Sequence, residues 1–269
     1  MKKIYSILMI FLFAFVSCDE PVVLDLDEVE SQLVVEAVLT NDYNALIVSL
    51  SHSQNFYSEP DFERLSSASI RVTSDKGFYE QLKINENKVY YSIDLTPVEN
   101  DEYTLTIETP EKTFSVSENM PPIVPIKKVE FVPNPFSGAD SLNAFVLVDD
   151  TPGKNNFFRL FVQKIGVSKR VEYYLIDDSF GKDAVISMPV YYRNFSPGDT
   201  VVVELWHLSE STYKFFTTLN DNINGSFNSI APGNPVSNMP PGIMGNFSVY
   251  SSDIDTIIVP ERFSEIDQN

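Results

Sequence analysis

Two histidines, one cysteine and an excess of carboxylates are the groups in this 269-residue chain with which chemistry could be done. A Ser-His-Asp relay needs an imidazole held between nucleophile and acid. His52 lies in Ser51-His52-Ser53-Gln54, beside an expected loop, and His207 stands near the end of Val203-Glu204-Leu205-Trp206-His207-Leu208. No Gly-x-Ser-x-Gly, His-Glu-x-x-His, P-loop or dinucleotide fingerprint accompanies them. Both therefore read as satisfied or solvent-facing histidines.

The acids pair at Asp149/Asp150, Asp177/Asp178 and Asp253/Asp255. A hydrolase built on two carboxylates needs them about 5–9 Å apart in space, which adjacency in sequence does not supply. With 38 Asp+Glu against 19 Lys+Arg, such pairs read first as solvating charge. Calcium is the metal that hard oxygen ligands would suit. Asp177-Asp178-Ser179-Phe180-Gly181 makes Asp177 and Asp178 the candidates, although the twelve-residue loop spacing of an EF-hand is absent. No other cofactor is expected, since a lone cysteine and two histidines give no zinc site. A net charge of -19 argues against nucleic acid as a partner.

The cysteine gains meaning from its flanks. Residues 1–17 form a signal peptide, with Lys2 and Lys3 ahead of a 13-residue apolar stretch from Ile4 to Val16. That stretch is too short for a spanning helix, which needs about 20 residues. Phe15-Val16-Ser17-Cys18 resembles a bacterial lipobox, so Cys18 is the expected lipid attachment site and the membrane a partner through that anchor. Residues 18–30 form an acidic tether, carrying Asp19, Glu20, Asp25, Asp27, Glu28 and Glu30. Anionic headgroups would repel it, so the body should stand off the bilayer. Acids directly after such a cysteine also resemble the surface-export signal of Bacteroidota lipoproteins, which implies an outer-membrane protein facing the cell exterior.

The elements that must position everything else repeat with a period of two. Leu33, Val35, Ala37 and Leu39 alternate with Val34, Glu36 and Val38, Tyr103, Leu105 and Ile107 with Thr104, Thr106 and Glu108, and Phe158, Leu160 and Val162 with Arg159, Phe161 and Gln163. Further strands are expected at 45–50, 68–74, 77–83, 88–93, 112–117, 126–132, 142–149, 170–177, 185–192, 200–208, 246–251 and 254–259. The fold class is all-β, with two β-sandwich domains. Residues 31–118 are expected to form an immunoglobulin-like sandwich, 119–125 a Pro-rich linker, 126–260 a larger second β domain, and 261–269 a tail. One helix near 209–220 is inserted in the second domain, with Ser209 as N-cap and Tyr213, Phe216 and Leu219 on one face. Residues 221–245 read as a long loop, and loops of that length more often bind or cap than merely connect.

Adjacent aromatics at Tyr90/Tyr91, Phe157/Phe158, Tyr173/Tyr174 and Tyr191/Tyr192 must send one ring to each face of a strand. Outward rings shield the sheet or stack on sugar or peptide ligands. The loop and the adjoining Trp206 are the expected contact region, with Tyr213, Asn234, Asn238 and Phe247 as its other candidate residues. Asp140-Ser141-Leu142, Asp199-Thr200-Val201 and Asp255-Thr256-Ile257 are similar to an O-glycosylation triplet of that phylum.

Several segments together resemble a family of Bacteroidota outer-membrane lipoproteins, domain-of-unknown-function family 4249. They are Leu33-Val34-Val35-Glu36-Ala37-Val38-Leu39-Thr40-Asn41, Asp177-Asp178 ahead of a glycine, and a strand leading to the Tyr213 helix. Gly233-Asn234-Pro235, Ser237-Asn238 and Gly242-Ile243-Met244-Gly245-Asn246-Phe247 complete the order. Ala37 stands where the family usually has Gly, and Asn246 where it has an aromatic. The resemblance implies an all-β lipoprotein associated with TonB-dependent receptors and carries no catalytic residues. The expected function is thus non-enzymatic: a lipid-anchored protein binding a ligand or a TonB-dependent transporter in nutrient uptake. An Asp/Glu-dependent secreted hydrolase and an architectural or adhesive envelope protein are the alternatives.

Overall fold

The structure, a computed structural model, describes residues 31–54, 63–134, 136, 141–150, 155–167, 172–178, 181–182, 185–224 and 233–261. The expected signal peptide, Cys18 and the tether lie outside the described residues. The strands of the first half are β1 (Leu33–Thr40), β2 (Ala45–His52), β3 (Ser69–Ser74), β4 (Tyr79–Gln81), β5 (Lys83–Ile84), β6 (Tyr90–Tyr91), β7 (Glu102–Glu108) and β8 (Thr113–Asn119). Those of the second are β9 (Lys128–Pro133), β10 (Leu142–Asp149), β11 (Phe157–Lys164), β12 (Glu172–Asp177), β13 (Gly181–Lys182), β14 (Val185–Phe195), β15 (Thr200–Leu208) and β16 (Ile243–Ile258). Among the described residues one helix, α1 (Glu210–Asn224), follows β15.

These strands make an eight-stranded sheet in the order β12-β11-β15-β16-β1-β2-β6-β5 and two four-stranded sheets, β4-β3-β7-β8 and β13-β14-β10-β9. Period-two alternation decides which face each strand buries. Leu33, Val35, Ala37 and Leu39 of β1 join Ile70, Val72, Leu105 and Ile107 in a first core. Phe158, Leu160 and Val162 of β11 join Leu142, Ala144, Val146, Val148, Ile186 and Met188 in a second. The architecture is therefore all-β, as the alternation predicts, with two sandwiches laid against one long sheet.

Strand β16 connects the two cores. It is one 16-residue strand where the sequence suggested two, 246–251 and 254–259. Its first half pairs in parallel with β1, from Leu33↔Ile243 to Thr40↔Tyr250, and puts Phe247 and Val249 into the first core. Its second half pairs antiparallel with β15, from Leu208↔Tyr250 to Thr200↔Ile258, and sends Ile257 against the second core. The Pro-rich segment passes beneath this switch. The carbonyl of Pro122 accepts from Ser251 Oγ at 2.8 Å and from His207 Nδ1 at 2.9 Å, and the Ile126 amide donates to Asp253 at 2.8 Å. Polar residues in mid-strand are thus hydrogen-bonded to the linker, and the strand need not break there.

Other departures are local. The run 77–83 divides at buried Leu82 because β4 pairs with β3 while β5 pairs with β6, so the chain changes sheets there. The expected loop 221–245 is shorter at both ends, since α1 runs to Asn224 and β16 begins at Ile243. The Ser196-Pro197-Gly198-Asp199 turn forms as expected. Gly198 takes φ +83° and Asp199 accepts the Ser196 amide at 2.7 Å.

Candidate functional site

The face of the long sheet that points away from the second core is built in cross-strand rows. Register places Tyr173, Phe161, Glu204 and Ile254 in one row across β12, β11, β15 and β16. The next row holds Leu175, Arg159, Trp206 and Ser252. Facing side chains in such rows are neighbours, so residues from four strands converge on one patch.

Trp206 is its centre. Its indole stacks on Tyr250 with centroids 4.0 Å apart and planes at 17°, and lies 4.5 Å from Phe161. The indole N–H donates to the Glu204 carboxylate two residues back on the same strand. Arg159 enters between the rings: its guanidinium carbon lies 4.4 Å from the Tyr173 ring centroid, 4.2 Å from Phe216, 4.9 Å from Phe161 and 5.3 Å from Trp206. Such contacts attract a cation through the negative ring faces. Burial lowers the Arg159 pKa from its ordinary value, opposed by Tyr173, Tyr250 and Glu204, while its Nε is buried with no hydrogen-bond partner. Burial likewise raises the Tyr250 phenol strongly. At the rim, Tyr43 in the β1–β2 turn is 70 % exposed, and the charge of Asp42, then burial and Glu204, raise its phenol.

Helix α1 covers one side of this patch. Ser209 caps it, its Oγ accepting the Thr212 amide at 3.3 Å. Tyr213 packs on Phe157 with centroids 4.9 Å apart, Phe216 lies over Arg159, and Asn220 accepts from the Tyr173 hydroxyl at 3.2 Å. Where α1 begins, a cavity of about 470 Å³ is lined by residues that include Glu118, Ser211, Lys214, Val236 and Asn238. Its polar groups mostly satisfy one another: Glu118 accepts from Ser211 and from Asn238, and Lys214 pairs with Glu210 at 2.6 Å.

The residues expected to form a contact region do not come together. Trp206 is in the aromatic patch and Tyr213 is on the helix that walls it. Asn234 is exposed on the strap 233–242, which is hydrogen-bonded to α1 between Asn222 and Gly233 and between Thr218 and Val236. Asn238 is a structural clamp, donating to the Phe247 carbonyl and accepting the Phe247 amide, both at 2.9 Å. Phe247 is fully buried in the first core, so its ring is closed to any ligand from solvent.

The titratable candidates serve local structure. His207 stacks on Phe158 with centroids 5.2 Å apart, and His52 is exposed at the end of β2. Asp150 and Asp178 both accept from Asn156, Asp149 pairs with Lys127, and Asp255 accepts the Thr256 amide. Asp177 lies near Tyr213, whose phenol burial raises first and the Asp177 charge second. Among the described residues no group of three or more His, Cys, Asp or Glu could hold a metal ion. Of the three O-glycosylation-like triplets, Ser141 has a buried hydroxyl and Thr256 an exposed side chain.

Sequence reasoning passed over Arg159, Phe161, Tyr173, Glu204 and Tyr250 as a group. Their one available signal was parity: each lies one residue out of phase with the core positions of its strand. Which of the many such positions meet depends on strand order.

A family model described as Domain of unknown function (DUF4249) matches residues 19–255. No curated protein matches the chain in sequence. Among solved structures, a two-domain fibronectin type III segment of chicken tenascin is similar at 14 % identity, covering 60 % of this chain and 83 % of that one, with a TM-score of 0.22. The FN1-FN3 domains of chicken CNTN1 are similar at 8 % identity over 84 % of this chain and 65 % of that one, with a TM-score of 0.26. A DUF4785 family protein from Legionella pneumophila is similar at 14 % identity over 64 % and 52 %, with a TM-score of 0.24.

Proposed function

Since the chain belongs to the family described as Domain of unknown function (DUF4249), we propose that it is a non-enzymatic lipid-anchored outer-membrane protein. Cys18 is its acylated residue, and the body faces the cell exterior, held off the lipid by its acidic tether. There it binds a ligand or the outer side of a TonB-dependent transporter in nutrient uptake. The observation that carries the binding role is the outward aromatic patch around Trp206, with Arg159 among its rings. Flat rings flanked by a few polar groups suit stacking on a sugar or an extended peptide. The lipobox-like segment carries the anchoring role.

The test is a pull-down from solubilised membranes. Tyr43→Ala and Tyr173→Ala change exposed rings at the patch and leave the cores untouched, so they separate contact from folding. Wild type should retain a membrane partner that the double variant loses while keeping its melting profile. An unchanged catch would overturn the assignment of this patch. Separately, Cys18→Ser should move the protein from the membrane fraction to the soluble one, and its retention at the membrane would overturn the anchor.

A further inference from the structure

Strand β16 is longer than the strand beside it. β1 stops at Thr40, opposite Tyr250, while β16 continues to Ile258 with β15 on its other side alone. Hydrogen bonds show which backbone groups are left over. Val259 exchanges bonds with the β14–β15 turn, its amide donating to Asp199 at 2.8 Å and its carbonyl accepting from Gly198 at 2.9 Å. Odd positions of this stretch therefore turn toward β15, and even positions turn toward the side that β1 has vacated.

Asn41 confirms the parity. Its side-chain amide fills the next step beyond Thr40, accepting the Ser252 amide at 2.7 Å and donating to the Ser252 carbonyl at 3.2 Å. Past that clamp, Ile254, Thr256 and Ile258 present their backbone N–H and C=O to the open side. Among the described residues these groups have one partner, the Asp255 carboxylate on the Thr256 amide at 2.7 Å. Their side chains lie on the outer face, where Ile254 is 49 % and Ile258 69 % exposed. Asp255 is exposed on the other face.

We propose that this open edge, Ile254–Ile258, is a strand-addition site for an extended segment of a basic partner protein, alternating apolar and basic residues. An unpaired edge is a template for another strand, with main-chain bonds giving affinity and alternate side chains giving selectivity. Apolar partner residues would cover Ile254 and Ile258, while lysine or arginine would meet Asp255 and release the Thr256 amide. The charge favours such a partner over a second copy, because each copy carries -19 and would bring a second Asp255 to the same seam. The site adjoins the aromatic patch at Ile254, but it rests on the open backbone edge and does not depend on the patch's role.

A fluorescent peptide alternating Ile and Lys tests the proposal by anisotropy against the full chain. Binding is expected, weakened about tenfold or more when the peptide's pairing amides are N-methylated, because charge and side chains are kept while backbone bonds are lost. An Ile/Glu peptide should not bind. Thr256→Pro should weaken the Ile/Lys peptide similarly, since proline removes an N–H facing the open side and leaves the β15 ladder intact. Equal binding by the N-methylated peptide, which needs no variant to fold, would overturn the proposal, as would no binding at all. A concentration-dependent dimer abolished by Thr256→Pro would give the edge to a second copy and overturn it too.

Discussion

A Cβ on Gly245 would stand 1.9 Å from the carbonyl oxygen of Val35, its register partner in the parallel pair that joins first and last strands. Gly245 also has φ +105°, where side chains are strained. Close approach and backbone angle thus demand glycine independently. Gly245→Ala should cost at least ~3 kcal/mol, combining backbone strain with forced separation of two central strands. Urea unfolding measures it, and a midpoint within error of wild type would contradict the pairing.

The clamp between the strap and β16 makes a second prediction. Asn238 satisfies both backbone groups of Phe247 and donates to Glu118 at 2.8 Å. Asn238→Ala should lower stability by ~2–3 kcal/mol, because buried partners are left without bonds. Asn238→Asp should do no better, placing a second carboxylate beside Glu118. Denaturant midpoints of the two variants check the order.

Alkaline stability follows from Tyr250. Burial raises its phenol from the ordinary 10.0, so below that pH both folded and unfolded chains keep the proton. As pH climbs past 10.0 the unfolded chain releases it first, and stability falls until the folded phenol ionises. Tyr250→Phe should flatten that decline, read as unfolding midpoints across the alkaline range. An unchanged slope would show that Tyr250 is not the group responsible.

Arg159 offers a contrast between shape and charge. Its guanidinium is held among four rings, and its Nε is buried with no hydrogen-bond partner. Arg159→Met keeps a long apolar stem among the rings and should change stability by less than ~1.5 kcal/mol. Arg159→Ala empties the space and should cost ~2 kcal/mol or more. Thermal melts compare the pair, and Trp206 fluorescence should shift more in the alanine variant.

Strands were legible wherever burial on one face writes a clean alternation, as in β10, where 142–149 was placed residue for residue. The unity of β16 was not, because Ser251, Ser252 and Asp253 look like a turn until the linker and Asn41 are seen to bond them. The resemblance to the family was legible in its ordered motifs, and the family match bears it out. Trp206 lies in the aromatic patch, whereas Phe247 and Asn238, both taken from the family-like motifs, are held in structural roles. A motif records constraint, and packing constrains as firmly as binding. Arg159 was out of reach because its four rings come from separate stretches of chain.

The parallel pairing of β1 with β16 also sets a timetable. Strand β1 waits for β16, about 210 residues later by the register Leu33↔Ile243, before its sheet can close. Contacts so distant in sequence are slow to form. A nascent chain would therefore carry β1 unpaired on one side until β16 has been made.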